Sequence, residues 1–477
     1  MPVKRIPFVG NPTQPRVAQD ILFNQVFQDC IFDRIANDIT RSQTVMVSAR
    51  HAYTNNASSF PAGTSGAGTA ILCWLGTGGT DIVTAYGNTN STIYLNNTSL
   101  GAITGKAIHF SETDISGTAN VLAVSSGNRG YFYPNAGALT EITNANFPPK
   151  QSTPLTITGN FVHKDGFAFI MCTNGDIWNS DLNSVSAWSA ISKIPANDKP
   201  DGGIGLARYG EYILGFGKTT IEFFKNMGNP SGSPLSRTGK TIASAVVNEH
   251  CILEFGDSVV WAATSGPSGP GIYMLKGGEA QKISSQVIDD DVASQALTAN
   301  ELRLNQWVDL GHHFLIFHHF TRSWVWQEKF PIWSYWSGSN TQTINKTALG
   351  FISGTAGLQS FWVGPNGGPY QVASSTSWNA ASIITDPIDL GSKNRKLCKS
   401  FSLVGDNYPT VTYSISYTDD NYQNFSTART ITNSSAGNRM WRLGQFVKRA
   451  FKITWTNGAQ QDVRLVAFEI DVDVASL

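Results

Sequence analysis

The sequence predicts an all-β chain: a β-propeller of six or seven blades, with an N-terminal arm before it and a C-terminal β-sandwich after it. Three observations lead there. Apolar residues almost nowhere recur at helical spacing. Even residues 17–40, the best helical stretch, mix β-branched and aromatic residues without a clean apolar stripe. Short alternating apolar and polar runs bounded by Gly, Asn, Ser and Pro dominate instead, as half-buried strands do. Finally, a turn-and-strand unit recurs with a period of about 46 residues, the spacing of propeller blades built from several short strands. Such a chain should hold less helix than about a quarter of its residues.

In chain order, residues 1–55 precede the first repeat and read as an arm or closing strand. The propeller is expected over 56–388. Its recurring unit is a turn carrying Gly, or a basic residue beside Ser or Thr, that leads into a short aromatic or aliphatic strand. It appears as Asn90-Ser91-Thr92-Ile93-Tyr94-Leu95, Gly130-Tyr131-Phe132-Tyr133 and Gly175-Asp176-Ile177-Trp178. It returns as Lys218-Thr219-Thr220-Ile221-Glu222-Phe223, Gly271-Ile272-Tyr273-Met274, Arg322-Ser323-Trp324-Val325-Trp326 and Gly367-Gly368-Pro369-Tyr370. Most units hold an earlier strand of similar character, as in Phe167–Ile170, Tyr212–Phe216, Val259–Ala262 and Phe314–Phe317. These pairs read as neighbours within one antiparallel blade. A blade packs against a neighbour on each side, so its inner strands must be apolar on both faces, and closing the ring removes aggregation-prone edges.

The style changes near Thr385–Ser392, where the domain boundary is expected. Residues 389–477 open with the basic cluster Lys393, Arg395, Lys396 and Lys399, which reads most simply as a solvated face. In Val411–Thr418 every odd residue is apolar and every even one carries a hydroxyl, and Phe451–Trp455 alternates likewise. Successive strand side chains point to opposite faces, so these are half-buried strands of a separate sandwich. A large β-sandwich or β-solenoid is the competing architecture for the repeat region.

Charged residues make up 14% of the chain, 34 basic and 34 acidic, against the ~25% usual in soluble domains. With 41% apolar residues, that balance excludes an intrinsically disordered chain. Zero net charge removes the whole-chain footprint of a dedicated nucleic-acid binder. The charge is unevenly spread: residues 1–50 carry 6 basic and 4 acidic groups, 51–390 carry 17 and 23, and 391–477 carry 11 and 7. Cys30, Cys73, Cys172, Cys251 and Cys398 are odd in number and widely spaced, without a C-x-x-C. They suit neither a disulfide scaffold nor a zinc ribbon and read as small buried apolar residues. No apolar stretch follows Lys4-Arg5 as in a secretory signal, and no run of about 18 apolar residues suggests a membrane span. The expectation is synthesis in a reducing cytoplasm, without membrane insertion.

The candidate chemistry fails on spacing. Gly217-Lys218-Thr219 and Gly239-Lys240-Thr241 match the end of a phosphate loop, but Tyr212 and Pro234 stand where its first Gly belongs, and the surroundings are hairpin-like. His312-His313 and His318-His319 lie in one extended strand, which separates same-face partners by about 20 Å, too far to share an ion. Asp289-Asp290-Asp291 and Asp419-Asp420 are contiguous, so they suit neither two carboxylates facing across a cleft nor a calcium loop, and they read as solvated turns. No G-x-S-x-G and no recognisable Ser-His-Asp grouping occurs. The expectation is therefore no catalytic, cofactor-binding or metal residues and no enzyme activity.

The stretch Tyr212 to Asp289 resembles the tail nozzle, or tail hub, of short-tailed bacteriophages, whose relatives include packaged-DNA stabilisation proteins. The matching text is Arg208-Tyr209-Gly210-Glu211-Tyr212-Ile213-Leu214-Gly215-Phe216-Gly217-Lys218-Thr219-Thr220-Ile221-Glu222-Phe223, then Gly256-Asp257-Ser258-Val259-Val260-Trp261, Gly271–Leu275 and Gln281-Lys282-Ile283-Ser284. Trp178-Asn179-Ser180-Asp181 with Trp188-Ser189 looks like the preceding blade turn, and Asn24 with Phe27-Gln28-Asp29-Cys30 looks like the family's N-terminal strand. Ile415–Asp420, Arg439 to Leu443-Gly444 and Phe451-Lys452-Ile453 resemble the sandwich that often ends these chains.

The resemblance implies a structural virion protein made in the host bacterial cytoplasm and placed in the tail. It implies a ring, commonly a homo-hexamer, below the head-to-tail connector (adaptor), which lines the DNA-exit channel during ejection and stabilises the packaged genome. Its implied partners are tail fibres or tailspikes, a tail plug or needle, and transient non-specific contact with duplex DNA in the lumen. Because the propeller segment is the acidic part, the lumen is expected to be acidic or neutral, with Asp289–Asp291 a candidate contributor. Two other classes compete. A propeller glycosidase or lectin would stack sugars on Trp324, Trp326, Trp333 and Trp336 and gather two carboxylates at one end of the axis. A scaffold propeller has nothing in its favour beyond fold.

Overall fold

The computed structural model describes residues 3–8, 26–34, 45–49, 53–55, 68–76, 79–87, 89–95, 98–107, 109–115, 118–134, 136–294, 302–309, 311–319, 322–336, 348–354, 357–363, 369–372, 380–406, 411–432, 439–456 and 463–474. Of these described residues 63% are strand and 5% helix. Two compact units emerge, one from Met1–Thr54, Trp324–Gln342 and Val372–Leu477, the other from Asn55–Ser323 and Thr343–Gln371.

The second unit is the propeller. Blade 1 runs Gly68–Gly76, Gly79–Tyr86, Thr92–Leu95, Thr98–Ala102; blade 2 runs His109–Ile115, Thr118–Ser125, Gly130–Tyr133, Thr140–Glu141. Blade 3 is Ile157–Lys164, Phe167–Cys172, Asp176–Ser180, Trp188–Pro195, and blade 4 is Gly203–Tyr209, Tyr212–Gly217, Thr220–Asn226, Leu235–Ala243. Blade 5 has a split inner edge, Ala245–Val246 and Ile252–Phe255, followed by Ser258–Gly266, Gly269–Lys276 and Glu279–Lys282. Blade 6 supplies its inner pair, Arg303–Asp309 and His312–His319. Blade 7 is Ala348–Gly354, Gly357–Val363 and Pro369–Val372, with the N-terminal strand Tyr53–Asn55 at its outer edge. Successive inner strands adjoin one another, and the inner strand of blade 7 adjoins that of blade 1. Among the described residues the ring thus has seven inner strands. The recurring sequence unit marks the third strand of blades 1–5 and 7, and the earlier apolar run marks the second strand of blades 3–6.

Both faces of a blade are indeed apolar. In the second strand of blade 3, Ala168, Ile170 and Cys172 pack with Val121 and Ala123 of blade 2, while Phe169 and Met171 pack with Leu206 and Ile213 of blade 4. Blade 4 repeats the arrangement, turning Ala207, Leu214 and Phe216 toward Val259 and Trp261 of blade 5. Full burial of each large aliphatic or aromatic side chain contributes about 1.5–3 kcal/mol, so the blade interfaces dominate stability.

Hydrogen bonds between inner strands set the offset. Thr158 Oγ1 donates to the Ile204 carbonyl at 2.6 Å, Lys164 Nζ to the Gly210 carbonyl at 3.2 Å, and the Arg208 guanidinium grips the Glu254 carboxylate at 2.7 and 2.9 Å. Each of these pairs is 46 residues apart. The sequence period is therefore the chain length that carries one inner strand to the equivalent place in the next. Close approach here needs glycine: Gly159 has φ +72°, and a Cβ there would lie 3.0 Å from the Gly205 Cα.

The first unit is two sheets around one core. One orders Cys30–Arg34, Val45–Ala49, Arg464–Val474, Lys396–Gly405 and Arg439–Phe446, with Lys4–Pro7 also paired to Arg464–Val474. The other orders Ile332–Trp336, Val26–Gln28, Ala381–Ile384, Ala450–Thr456, Thr412–Thr418 and Arg429–Thr432. Phe27, Phe32, Phe401, Tyr413, Phe451, Ile453, Trp455 and Phe468 fill the space they share. The N-terminal residues expected as an arm supply strands to both sheets. Trp324–Gln342, expected in the propeller, is counted in this unit. The cause is packing: Gln327 exchanges two hydrogen bonds with the Phe32 backbone, its Oε1 accepting at 3.0 Å and its Nε2 donating at 2.6 Å.

Gly159→Val should lower unfolding free energy by about 2 kcal/mol or more, because it combines a left-handed backbone with a clash against Gly205. Gly228→Ala, at φ +65° but in open space, should cost about half as much or less. Urea midpoints at unchanged slope measure both; equal losses would show that the inter-strand approach is not limiting.

Candidate functional site

Most residues singled out from the sequence are absorbed by folding contacts. Lys218-Thr219 lies in the hairpin turn before Thr220–Asn226, where the Asp201 carboxylate accepts from Thr219 N at 2.6 Å and Thr219 Oγ1 at 2.7 Å. Lys240-Thr241 sits within the strand Leu235–Ala243. The histidines occupy one strand, His312–His319. His312 and His318 are buried, and His313 stacks on Phe255 at 3.8 Å between ring centroids. The side chain of His319 lies outside the described residues.

Of the two acidic clusters only Asp289–Asp291 requires correction; Asp419-Asp420 is exposed in a bend after Thr412–Thr418, as expected. Asp289-Asp290-Asp291 is not a turn but part of the helix Gln286–Ser294, and Asp289 and Asp291 are buried. Asp289 accepts from Lys282 Nζ at 2.9 Å and from Ser284 Oγ, so it anchors the helix to blade 5. Asp419 receives a bidentate guanidinium from the buried Arg449, at 2.7 Å to each oxygen. Asp420 accepts from Thr418 Oγ1 and from Asn424, contacts that hold its carboxyl down at about 2. The basic cluster is also divided: Lys396 is buried, donating to the carbonyls of Ser392, Asn394 and Val447, while Lys399 pairs with Asp473 at 2.6 Å. The tryptophans considered as sugar platforms are buried or half-buried. Trp326 and Trp336 are buried, Trp324 and Trp333 half-buried, and Trp336 Nε1 donates to the Cys30 carbonyl at 3.4 Å. Cys172, Cys251 and Cys398 are free, buried thiols, and Cys30 is buried as well. Burial pushes Cys172 up to about 12 and Cys398 to about 11, leaving them protonated and unreactive.

The propeller axis gathers polar residues that the sequence did not single out. His109 opens the inner strand of blade 2. His250 lies in the single 3-10 turn Glu249–Cys251 before Ile252–Phe255 of blade 5, a turn capped by Asn248 Oδ1 accepting from His250 N at 2.8 Å. Blades 2 and 5 are not neighbours in the ring, yet the two imidazoles lie 4.8 Å apart between centroids. They therefore meet across the axis. Arg303 opens the inner strand of blade 6 and pairs in register with His318, whose Nδ1 contacts Ser323 Oγ at 2.9 Å. Cys251 Sγ and Asn248 Nδ2 both reach the carbonyl of the adjoining Leu302. Farther along the inner strands, Arg208 ties Glu254 of blade 5 to the His163 carbonyl of blade 3.

Burial, then the nearby Arg303 charge, lowers His109 and His318 to about 3 and His250 well below its ordinary value. Neutral imidazoles pack across the axis without mutual repulsion, so the arrangement closes the centre. The strands that His109 and Arg303 open gave no sign of this, since they hold further polar residues, Ser111, Glu112, Thr113 and Asp114 in one and Asn305, Gln306 and Asp309 in the other. His250 carried none. Among the described residues no group of three or more His, Cys, Asp or Glu side chains is placed to hold a metal ion, and no helix is long and apolar enough to cross a membrane.

These imidazoles are neutral in the fold but take up protons in the unfolded chain below about pH 6.5. Their contribution to stability is whole above that pH and is lost progressively as pH falls toward 3. The melting temperature should accordingly drop between pH 6.5 and 4, and the His109→Gln, His318→Gln double variant should show a shallower drop. An unchanged slope in the variant would show that other groups govern the acid response.

The family model described as "Bacteriophage P22 Gp10, beta-propeller" matches residues 84–347, more than half of the chain. The tail hub protein gp10 of Salmonella phage P22 is 27% identical over 129 residues, covering 26% of this chain and 27% of that protein. Among solved structures, the Pan2 WD40 domain of Neurospora crassa overlaps 70% of this chain and 97% of its own, at 9% identity and a TM-score of 0.44. BBS1N in complex with ARL6DN overlaps 69% of this chain and 100% of its own, at 14% identity and a TM-score of 0.46. The match begins within the second strand of blade 1 and runs through both strands of blade 6, and the chain belongs to the Bacteriophage P22 Gp10 β-propeller family.

Proposed function

We propose that this chain is a structural protein of a short-tailed phage virion, a tail hub or nozzle that continues the DNA-exit channel below the head-to-tail connector. The family match across residues 84–347 carries this reading. Copies form a closed ring, a homo-hexamer, whose outer surfaces receive tail fibres or tailspikes and whose end accepts a plug or needle. The protein is made in the host cytoplasm and resides in the tail.

The axis of a single propeller is too narrow for DNA. His109 and His250 span it at 4.8 Å, far less than a duplex requires, so passage runs between copies and not through any one propeller. A lumen bordered by propeller surface is acidic or neutral: residues 51–390 carry 17 basic and 23 acidic groups. A basic lumen would bind one phosphate charge per ~1.7 Å of duplex and stall the genome. The role needs no chemistry, and the histidines, acids and tryptophans that a glycosidase would use are engaged in folding contacts.

Electron microscopy of the parent virion, with mass measurement of the tail, tests the assembly. Six copies per connector ring are expected, and a ratio incompatible with six overturns the hexamer. Duplex binding by the purified chain should be near the non-specific range, ~10⁻⁴ to 10⁻⁶ M or weaker at physiological salt. Tight binding lost on neutralising propeller Lys or Arg residues would refute a sliding conduit. Capsular polysaccharide should show no turnover; hydrolysis abolished by changing a carboxylate pair would restore the glycosidase reading.

A further inference from the structure

We propose that Arg429, Arg439, Trp441 and Arg442, at one edge of the sandwich unit, form a docking surface for a second copy of this chain and meet that copy's acidic propeller unit head-to-tail. This rests on the ring assembly proposed above and names the surface that builds it.

Arg439–Phe446 is the last strand of its sheet, and Arg429 begins the last strand of the other. Trp441 is 54% exposed, unusual for so large an apolar side chain. The Arg439 guanidinium lies over its ring at 5.2 Å. Arg429 Nη1 donates to the Trp441 carbonyl at 2.8 Å, which fixes its charge beside the indole and blunts the open edge. Arg442 has φ +60°, a left-handed backbone that a non-glycine residue adopts at a cost of order 1–3 kcal/mol. The register slips at this point, between Cys398 and Ser400 of the paired strand, and such a bulge re-aims side chains. Strain and bulge together hold the arginine outward beside Trp441. All three arginines are exposed, and among the described residues no carboxylate lies within 4.0 Å of them.

Tryptophan and arginine are the residue types most enriched at the energetic centres of protein interfaces. Here they are pre-positioned, so little ordering remains to be done on binding. Charge selects the occupant. The unit carrying this surface holds 18 basic and 14 acidic residues, and the propeller unit holds 16 and 20. Each copy thus carries both the basic surface and its acidic complement, as a heterologous contact repeating around a closed ring requires. Duplex DNA fits less well. Salt-sensitive duplex binders contact about 6–10 phosphates, whereas three guanidiniums neutralise about three.

Sedimentation velocity of the full-length chain at low and moderate salt tests this, comparing wild type with Trp441→Ala and with the triple reversal R429E/R439E/R442E. Trp441 and the arginines are exposed, so thermal melts should match wild type and show the variants folded. Wild type should self-associate, and less at higher salt. Trp441→Ala should weaken association about tenfold or more, and the reversal should leave monomers. Variants that assemble like wild type would overturn this surface while leaving the ring intact. A wild-type chain that stays monomeric at every concentration would overturn both. Assembly unaffected by the reversal, with duplex binding lost instead, would make the surface a DNA contact and end the proposal.

Discussion

From blade 1 to blade 5 each blade is held to the next by apolar contact, and such contacts leave no exposed end only when the last inner strand meets the first. The requirement shapes the chain. Second strands such as Phe167–Cys172 must be apolar at odd and even positions alike, because Ala168, Ile170 and Cys172 serve one interface and Phe169 and Met171 the other. The 46-residue spacing of the Thr158–Ile204, Lys164–Gly210 and Arg208–Glu254 bonds follows from the same geometry. The last blade is completed by Tyr53–Asn55, from the other end of the chain.

Ring closure also decides what the centre can be. Inner strands converge on the axis, and polar side chains at their ends come close enough to touch across it. The histidines survive there because burial and Arg303 keep them neutral. A charged cluster would need counter-ions that a narrow centre has no room to solvate. The polar contacts across the axis thus serve stability.

The sandwich unit uses charge in the opposite way. Arg449 is buried between the rings of Tyr417 and Phe446 and joins Asp419 to the Leu443 carbonyl. Lys396 gathers the carbonyls of Ser392, Asn394 and Val447. These cations act as internal clips, a use open to long side chains whose stems are apolar. The arginines around Trp441 stand apart from them by facing solvent.

The sequence alone determined the all-β class, the propeller repeat and the family resemblance, because all three are written in local signals. Turn glycines, period-2 strands and a fixed spacing survive in one dimension. It did not reveal that residues 26–34 and 45–49 join the C-terminal strands, since strand pairing over hundreds of residues leaves no local trace. Asp289–Asp291 read as a turn because a nine-residue helix is too short to show periodicity. Lys396 read as solvated because burial of a cation depends on carbonyls supplied by a distant loop. The meeting of His109 with His250 was decided only by the tertiary structure: ring closure brings opposite blades together, and nothing in either residue's neighbourhood encodes the other.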